Sequence, residues 1–182
     1  MRKFVTIIKS ICLLACFTGS ALSSYAQMEF VENKGQWNSA VQYKGDFKTG
    51  AFFLENKGFT VVMNRPSDVQ RLSAFMHGHD HPLTAGTGQK TGVLRDTIVV
   101  QSFAYKVKFL GAAANPSRKP DKALPTYNNY FLGTDASKWA NDCKVFQAVT
   151  FENIYPNIDI RYYSDGGVLK YDFIVKPGGN PN

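Results

Sequence analysis

Every histidine of the chain falls at alternate positions in "FMHGHDHPL" (75–83): His77, His79 and His81, with Asp80 between the last two. On an extended strand, residues two apart share a face, so three imidazoles would reach one ion, and Zn²⁺, Ni²⁺ or Cu²⁺ would suit such nitrogen ligands. Gly78 and Pro82 argue against a regular strand, and the segment lies in a polar, glycine-rich run, residues 64–95. Catalytic zinc usually gathers ligands from separated elements, each oriented by further hydrogen bonds. His77, His79 and His81 are therefore read as candidate metal ligands on a solvated loop, giving weak or adventitious binding. No cofactor is expected.

Other constellations are poorer. No Asp-x-Asp-x-Asp-Gly calcium loop exists, and Asp135, Asp159, Asp165 and Asp172 are scattered. Gly-x-Ser-x-Gly, His-Glu-x-x-His and the phosphate-cradling Gly-x-x-x-x-Gly-Lys-Ser/Thr are absent. A glycosidase needs two acids near in space, and Asp159 with Asp172 is the one pair to name. Trp37, Tyr127, Tyr130, Trp139, Tyr155, Tyr162 and Tyr163 fall near turns or strand ends, where some would form a platform for carbohydrate or a neighbouring module; core packing is the plainer role for each.

The elements that must carry these residues are strands. "FAYKVKFLG" places Phe103, Tyr105, Val107 and Phe109 on one face and Lys106 and Lys108 on the other. "GAFFLENKGFTVVMN" predicts a hairpin turning at Glu55–Gly58, with Gly58 in a left-handed position. "NIDIRYYSDGGVLKYDFIV" predicts a second. A two-residue Asp165-Gly166 turn would set Asp159 opposite Asp172 and Arg161 opposite Lys170. A four-residue loop, 165–168, instead pairs Arg161 with Asp172 and Ile160 with Phe173, and charge favours it. "GTDASKWAND" predicts one helical turn capped by Thr134 or Asp135, with Trp139 packing inward. Residues 64–95 and the proline-rich 111–125 read as loops. "FVENKGQW" (30–37) and "FLENKGFT" (53–60) read as similar turns, not a solenoid. The expectation is an antiparallel all-β domain, a two-layer β-sandwich with long polar loops, over residues 27–182. The 14 phenylalanines and 9 tyrosines of the chain help fill its core.

Residues 1–26 read as a secretory signal. Met1-Arg2-Lys3 and Lys9 are basic, "ICLLACFTGSAL" is apolar, and Ser24-Tyr25-Ala26 supplies small residues before the cut. The run is too short and too interrupted for a membrane span. "LLAC" offers a competing lipoprotein route through Cys16, to the outer membrane. Loss of Arg2, Lys3 and Lys9 from the 21 basic residues leaves 18 against 14 acidic ones, a balance of +4 without a basic block. That argues against a nucleic-acid partner. Loss of Cys12 and Cys16 leaves Cys143 alone, so no intrachain disulfide forms. Cys143 is read as a small half-buried residue, with no histidine near it in sequence to make a catalytic pair.

"FVENKGQW", "YNNYFLGTDASKW" and "VTFENIYPNIDIRYYSDGGVLKYDFIVKPGGNPN" together resemble the N-terminal domain of large exported proteins of the Bacteroidota, a family of unknown function. The resemblance covers about residues 28–182 and is most specific from Asn153 onward. It implies a domain that precedes SBBP-type β-propeller repeats, PKD modules and a gliding-motility-associated sorting domain, secreted by the type IX pathway. It carries over no catalytic residue. In the family "PGGNP" leads into a further strand, whereas here the sequence stops at Asn182, as in a fragment or a truncation. The expected partners are downstream domains of the same longer chain, with an extracellular glycan or surface protein as further partners. The expected function is a non-enzymatic structural or adhesive module, secreted or at the cell surface. The alternatives are a carbohydrate-binding module and, behind it, a metal-dependent enzyme at His77, His79 and His81.

Overall fold

The computed structural model describes residues 28–77 and 98–181. Nine strands make one antiparallel sheet among them: β1 Phe30–Glu32, β2 Val41–Phe47, β3 Gly50–Glu55, β4 Gly58–Asn64, β5 Ser102–Lys108, β6 Ser117–Tyr130, β7 Ala140–Tyr155, β8 Ile158–Asp165 and β9 Val168–Val175. The order across the sheet is β5-β4-β3-β2-β1-β7-β8-β9, with β6 on the other side of β7. The proposed signal residues lie outside the described ones. No described helix is long and apolar enough to cross a membrane.

The fold is all-β, as composition and alternation predict, but its two layers are halves of one curled sheet. Tyr43 of β2 stands edge-on to Phe151 of β7, ring centres 6.4 Å apart, and Phe59 of β4 meets Tyr162 of β8 at 6.2 Å. Alternation supplies these contacts: Phe151, Ile160 and Tyr162 are fully buried, whereas Arg161 and Tyr163, on either side of Tyr162, point away from the core. A smaller cluster of Val31, Ala140, Cys143 and Val145 fills the other face where β1 crosses β7.

The second hairpin has the register that charge favours, Arg161 opposite Asp172 and Ile160 opposite Phe173. Its loop is shorter than expected. Asp165 pairs with Val168, and Gly166-Gly167 alone turn the chain, both left-handed at φ 59° and 77°. In the first hairpin Glu55 pairs with Gly58 across Asn56-Lys57. Gly58 has the positive φ expected of it, 147°, and also answers a close approach: a Cβ there would lie 1.9 Å from the Val107 carbonyl oxygen. The similar "ENKG" at 32–35 closes no two-residue turn, but opens the longer connection between the antiparallel pair β1 and β2. Asn33 holds a wider loop there, its Oδ1 accepting from the N–H groups of Gly35 and Trp37.

Two segments expected to be loops are regular elements. Most of 111–125 belongs to β6, the outer neighbour of β7, where Pro120 and Pro125 sit without breaking an inner ladder. The register slips between Ala123 and Tyr127. Residues Pro66–Met76 form helix α1, with proline in its first turn, where no N–H is needed. Its buried Asp68 accepts from the Gln101 N–H at 2.9 Å and from Arg71 at 3.3 Å, pinning the helix to the entry of β5. The predicted helical turn is a 3-10 turn at Ala136–Lys138, capped by Asp135, whose carboxylate accepts from the Ser137 N–H. Trp139 does not pack inward. It is 44% exposed, with its indole N–H donating to the Gly133 carbonyl at 3.3 Å.

Candidate functional site

Of the three histidines, only His77 lies among the described residues. It follows α1, exposed, with its backbone N–H on the Ser73 carbonyl. His79 and His81 lie outside them, so the proposed ligand set has no described geometry. Among the described residues no group of three His, Cys, Asp or Glu side chains is placed to hold a metal ion.

Cys143 is more buried than expected. Burial pushes its thiol pKa up, and the Gln36 amide donates to Sγ at 3.4 Å. A protonated thiol packed beside Val31 and Val145 is a core group and a poor nucleophile. The acid pair separates by role as well. Asp159 is buried, accepts from the Asn153 N–H at 2.8 Å, and pairs with Lys176 at 2.7 Å. It anchors the irregular end of β7 to the chain that leaves β9. Asp172 is exposed opposite Arg161.

The face of β8 and β9 turned away from the core carries a polar cleft of about 320 Å³, lined by Lys122, Gln147, Arg161, Tyr163 and Asp172. Its charges answer one another. Arg161 pairs with Asp121 at 2.8 Å, and the Tyr163 hydroxyl donates to Asp172, a bond that holds the phenol pKa up. The Arg161–Asp121 pair ties β8 to β6, and the Tyr163–Asp172 bond ties β8 to β9.

The aromatic residues divide. Tyr162 is core, its hydroxyl buried without a partner among the described residues. Trp37 lies half-buried edge-on to Tyr130 at 5.2 Å, with the Lys44 ammonium over its ring at 5.5 Å. Tyr155 is half-buried and donates to the Leu110 carbonyl at 2.9 Å. The exposed set gathers where β6 turns into β7: Tyr127, Phe131, Leu132 and Trp139, the rings of Phe131 and Trp139 being 6.0 Å apart.

Sequence periodicity does not reveal which strands are edges, and a run of exposed apolar side chains lies along two of them. The inward row of β5 is open at one end, with Phe103 62% exposed and Tyr105 beside it. At the other end Phe109 closes on Phe173 at 5.4 Å and on Tyr171 at 6.4 Å. β9 exposes Val168, Tyr171, Phe173, Ile174 and Val175. A hollow of about 500 Å³, lined mainly by Tyr155, Pro156, Ile158, Phe173, Val175 and Pro181, continues the strip. Exposed apolar side chains along an unpaired backbone edge are chemistry for docking another chain. A family described as a domain of unknown function, DUF7948, matches residues 30–182. No curated protein and no solved structure matches the chain.

Proposed function

Because the chain belongs to the DUF7948 family of unknown function, we propose that it is a non-enzymatic structural or adhesive module of an exported protein. The signal-like residues 1–26 support a secreted or cell-surface location, by ordinary cleavage or by lipidation at Cys16. The resemblance to leading domains of Bacteroidota surface proteins supports a place before SBBP repeats and a type IX sorting domain, with those downstream domains as partners. The single observation that carries the docking role is the apolar edge of β9. The ion pairs Arg161–Asp121 and Lys176–Asp159 near it hold strands together.

The experiment is an in-frame deletion of codons 28–182 from the chromosomal gene, read by surface proteolysis of the native protein and by adhesion of the deleted cells. A protease-accessible native protein and a loss of adhesion or of surface assembly are expected. A protein confined to the cytoplasm, or unchanged adhesion and assembly, would overturn the reading. Carbohydrate binding is a second reading, favoured by the exposed cluster of Tyr127, Phe131 and Trp139. A panel of soluble glycans titrated against tryptophan fluorescence tests it, and quenching that Trp139→Ala abolishes is the positive result.

A further inference from the structure

We propose that β9 pairs with β9 of a second copy of this chain, antiparallel about a two-fold axis through Tyr171. This rests on the reading of β9 as a docking edge and names its occupant.

Backbone parity comes first. The Gly166-Gly167 turn closes on the pair Asp165 and Val168, and a two-residue turn closes on a hydrogen-bonded pair. Alternation then directs the N–H and C=O groups of Val168, Lys170, Asp172 and Ile174 toward β8. At the far end the Lys176 N–H donates to the Asn157 carbonyl at 2.9 Å, in the same parity. The groups of Leu169, Tyr171 and Phe173 therefore point outward, to an edge that no described strand pairs. A symmetric antiparallel mate must match outward residues with outward residues, so the axis passes through a residue and never between two.

Charge then selects which residue. An axis through Lys170 or Asp172 would set like charges face to face, and an axis through Leu169 or Phe173 would set Lys170 or Asp172 against an apolar side chain. With the axis at Tyr171, Lys170 meets Asp172 of the other copy, twice by symmetry. Val168 then meets Ile174 on the same face, and these are residues otherwise left 61% and 42% exposed. On the inward face Leu169 meets Phe173, and Tyr171 meets its own mate. Every pair is matched in this register: apolar with apolar, cation with anion.

The test is sedimentation velocity on the full chain across a concentration series, joined to a disulfide trap. In a Cys12→Ser, Cys16→Ser background Cys143 is buried, so an added cysteine reports alone. Positions 170 and 172 would form a non-hydrogen-bonded pair, whose Cβ atoms come close. A Lys170→Cys chain mixed with an Asp172→Cys chain should cross-link under mild oxidation, and neither should do so alone. Lys170→Asp should weaken the dimer about tenfold, by setting acid against acid at both symmetric positions. A monomer at every concentration, with circular dichroism showing the fold intact, would overturn the pairing. So would filaments, or a dimer whose mixed cysteine chains cross-link no better than either alone. A monomeric chain whose deletion still abolishes adhesion would leave the module reading standing, while deletion without effect would remove that reading whatever the dimer does.

Discussion

The two sides of the curled sheet use the same residue types to opposite ends. Where β7 and β8 cross its middle, Phe151, Ile160 and Tyr162 are sealed from water, and Arg161 between the last two faces out. At the seam, where β9 closes on β5, Phe103 on β5 and Tyr171 and Phe173 on β9 belong to inward rows as well and stay 62%, 42% and 45% exposed. Alternation alone does not make a core. A strand buries its apolar row only where a second layer lies over it, and the seam lacks that cover along part of its length.

The sharpest way to break this contrast is to empty one side. Phe151→Ala removes a fully buried ring and should cost about 3–5 kcal/mol, read as a fall in the urea midpoint. Gly58→Ala should cost about 1–3 kcal/mol, because its Cβ would drive β4 from the Val107 carbonyl. Selective loss of amide protection in β5 would separate that effect from general unfolding. Tyr162→Phe removes a buried hydroxyl without a described partner and should change stability by less than about 1 kcal/mol at neutral pH.

At alkaline pH the same variant should differ more. Burial pushes the phenols of Tyr162 and Tyr43 above their ordinary value of 10.0. The folded state therefore keeps protons that the unfolded chain releases from pH 10.0 upward. Their contribution is complete below that pH and is lost as pH rises through the folded values. Tyr162→Phe should flatten the loss in denaturation midpoints measured between neutral and alkaline buffers. The smallest effect is expected at the seam: Phe103→Ser should cost less than about 0.5 kcal/mol in the isolated chain. A cost approaching that of Phe151→Ala would mean that Phe103 is covered in solution and would erase the contrast.

Much of the fold is legible in particular residues. Alternation in "FAYKVKFLG" marks β5, and the opposite charges of Arg161 and Asp172 select the β8–β9 register. Prolines hide β6, because a proline-rich stretch reads as loop unless it lies beside only one partner, as Pro120 does against Val149. Helix α1 is hidden because its apolar stripe, Val69, Leu72 and Met76, is short and none of it is buried, so it is easily read as part of a polar loop. For the candidate site, sequence identifies the apolar residues of β9 but not their exposure, which depends on where the sheet ends. The histidines show the reverse limit, since conspicuous spacing without a rigid element to hold it specifies no geometry.

Short β1 has a kinetic consequence. It joins the β2–β5 meander to the β7–β9 meander, with Phe30 and Val31 paired to Phe146 and Val145. Each meander is sequence-local, but the ladder between them must close a loop of more than a hundred residues, the slow kind of contact. A chain emerging N-terminus first therefore holds Phe30 in waiting until β7 has been made. Through that interval it stays incompletely folded, with the β2–β5 half of the sheet lacking its partner.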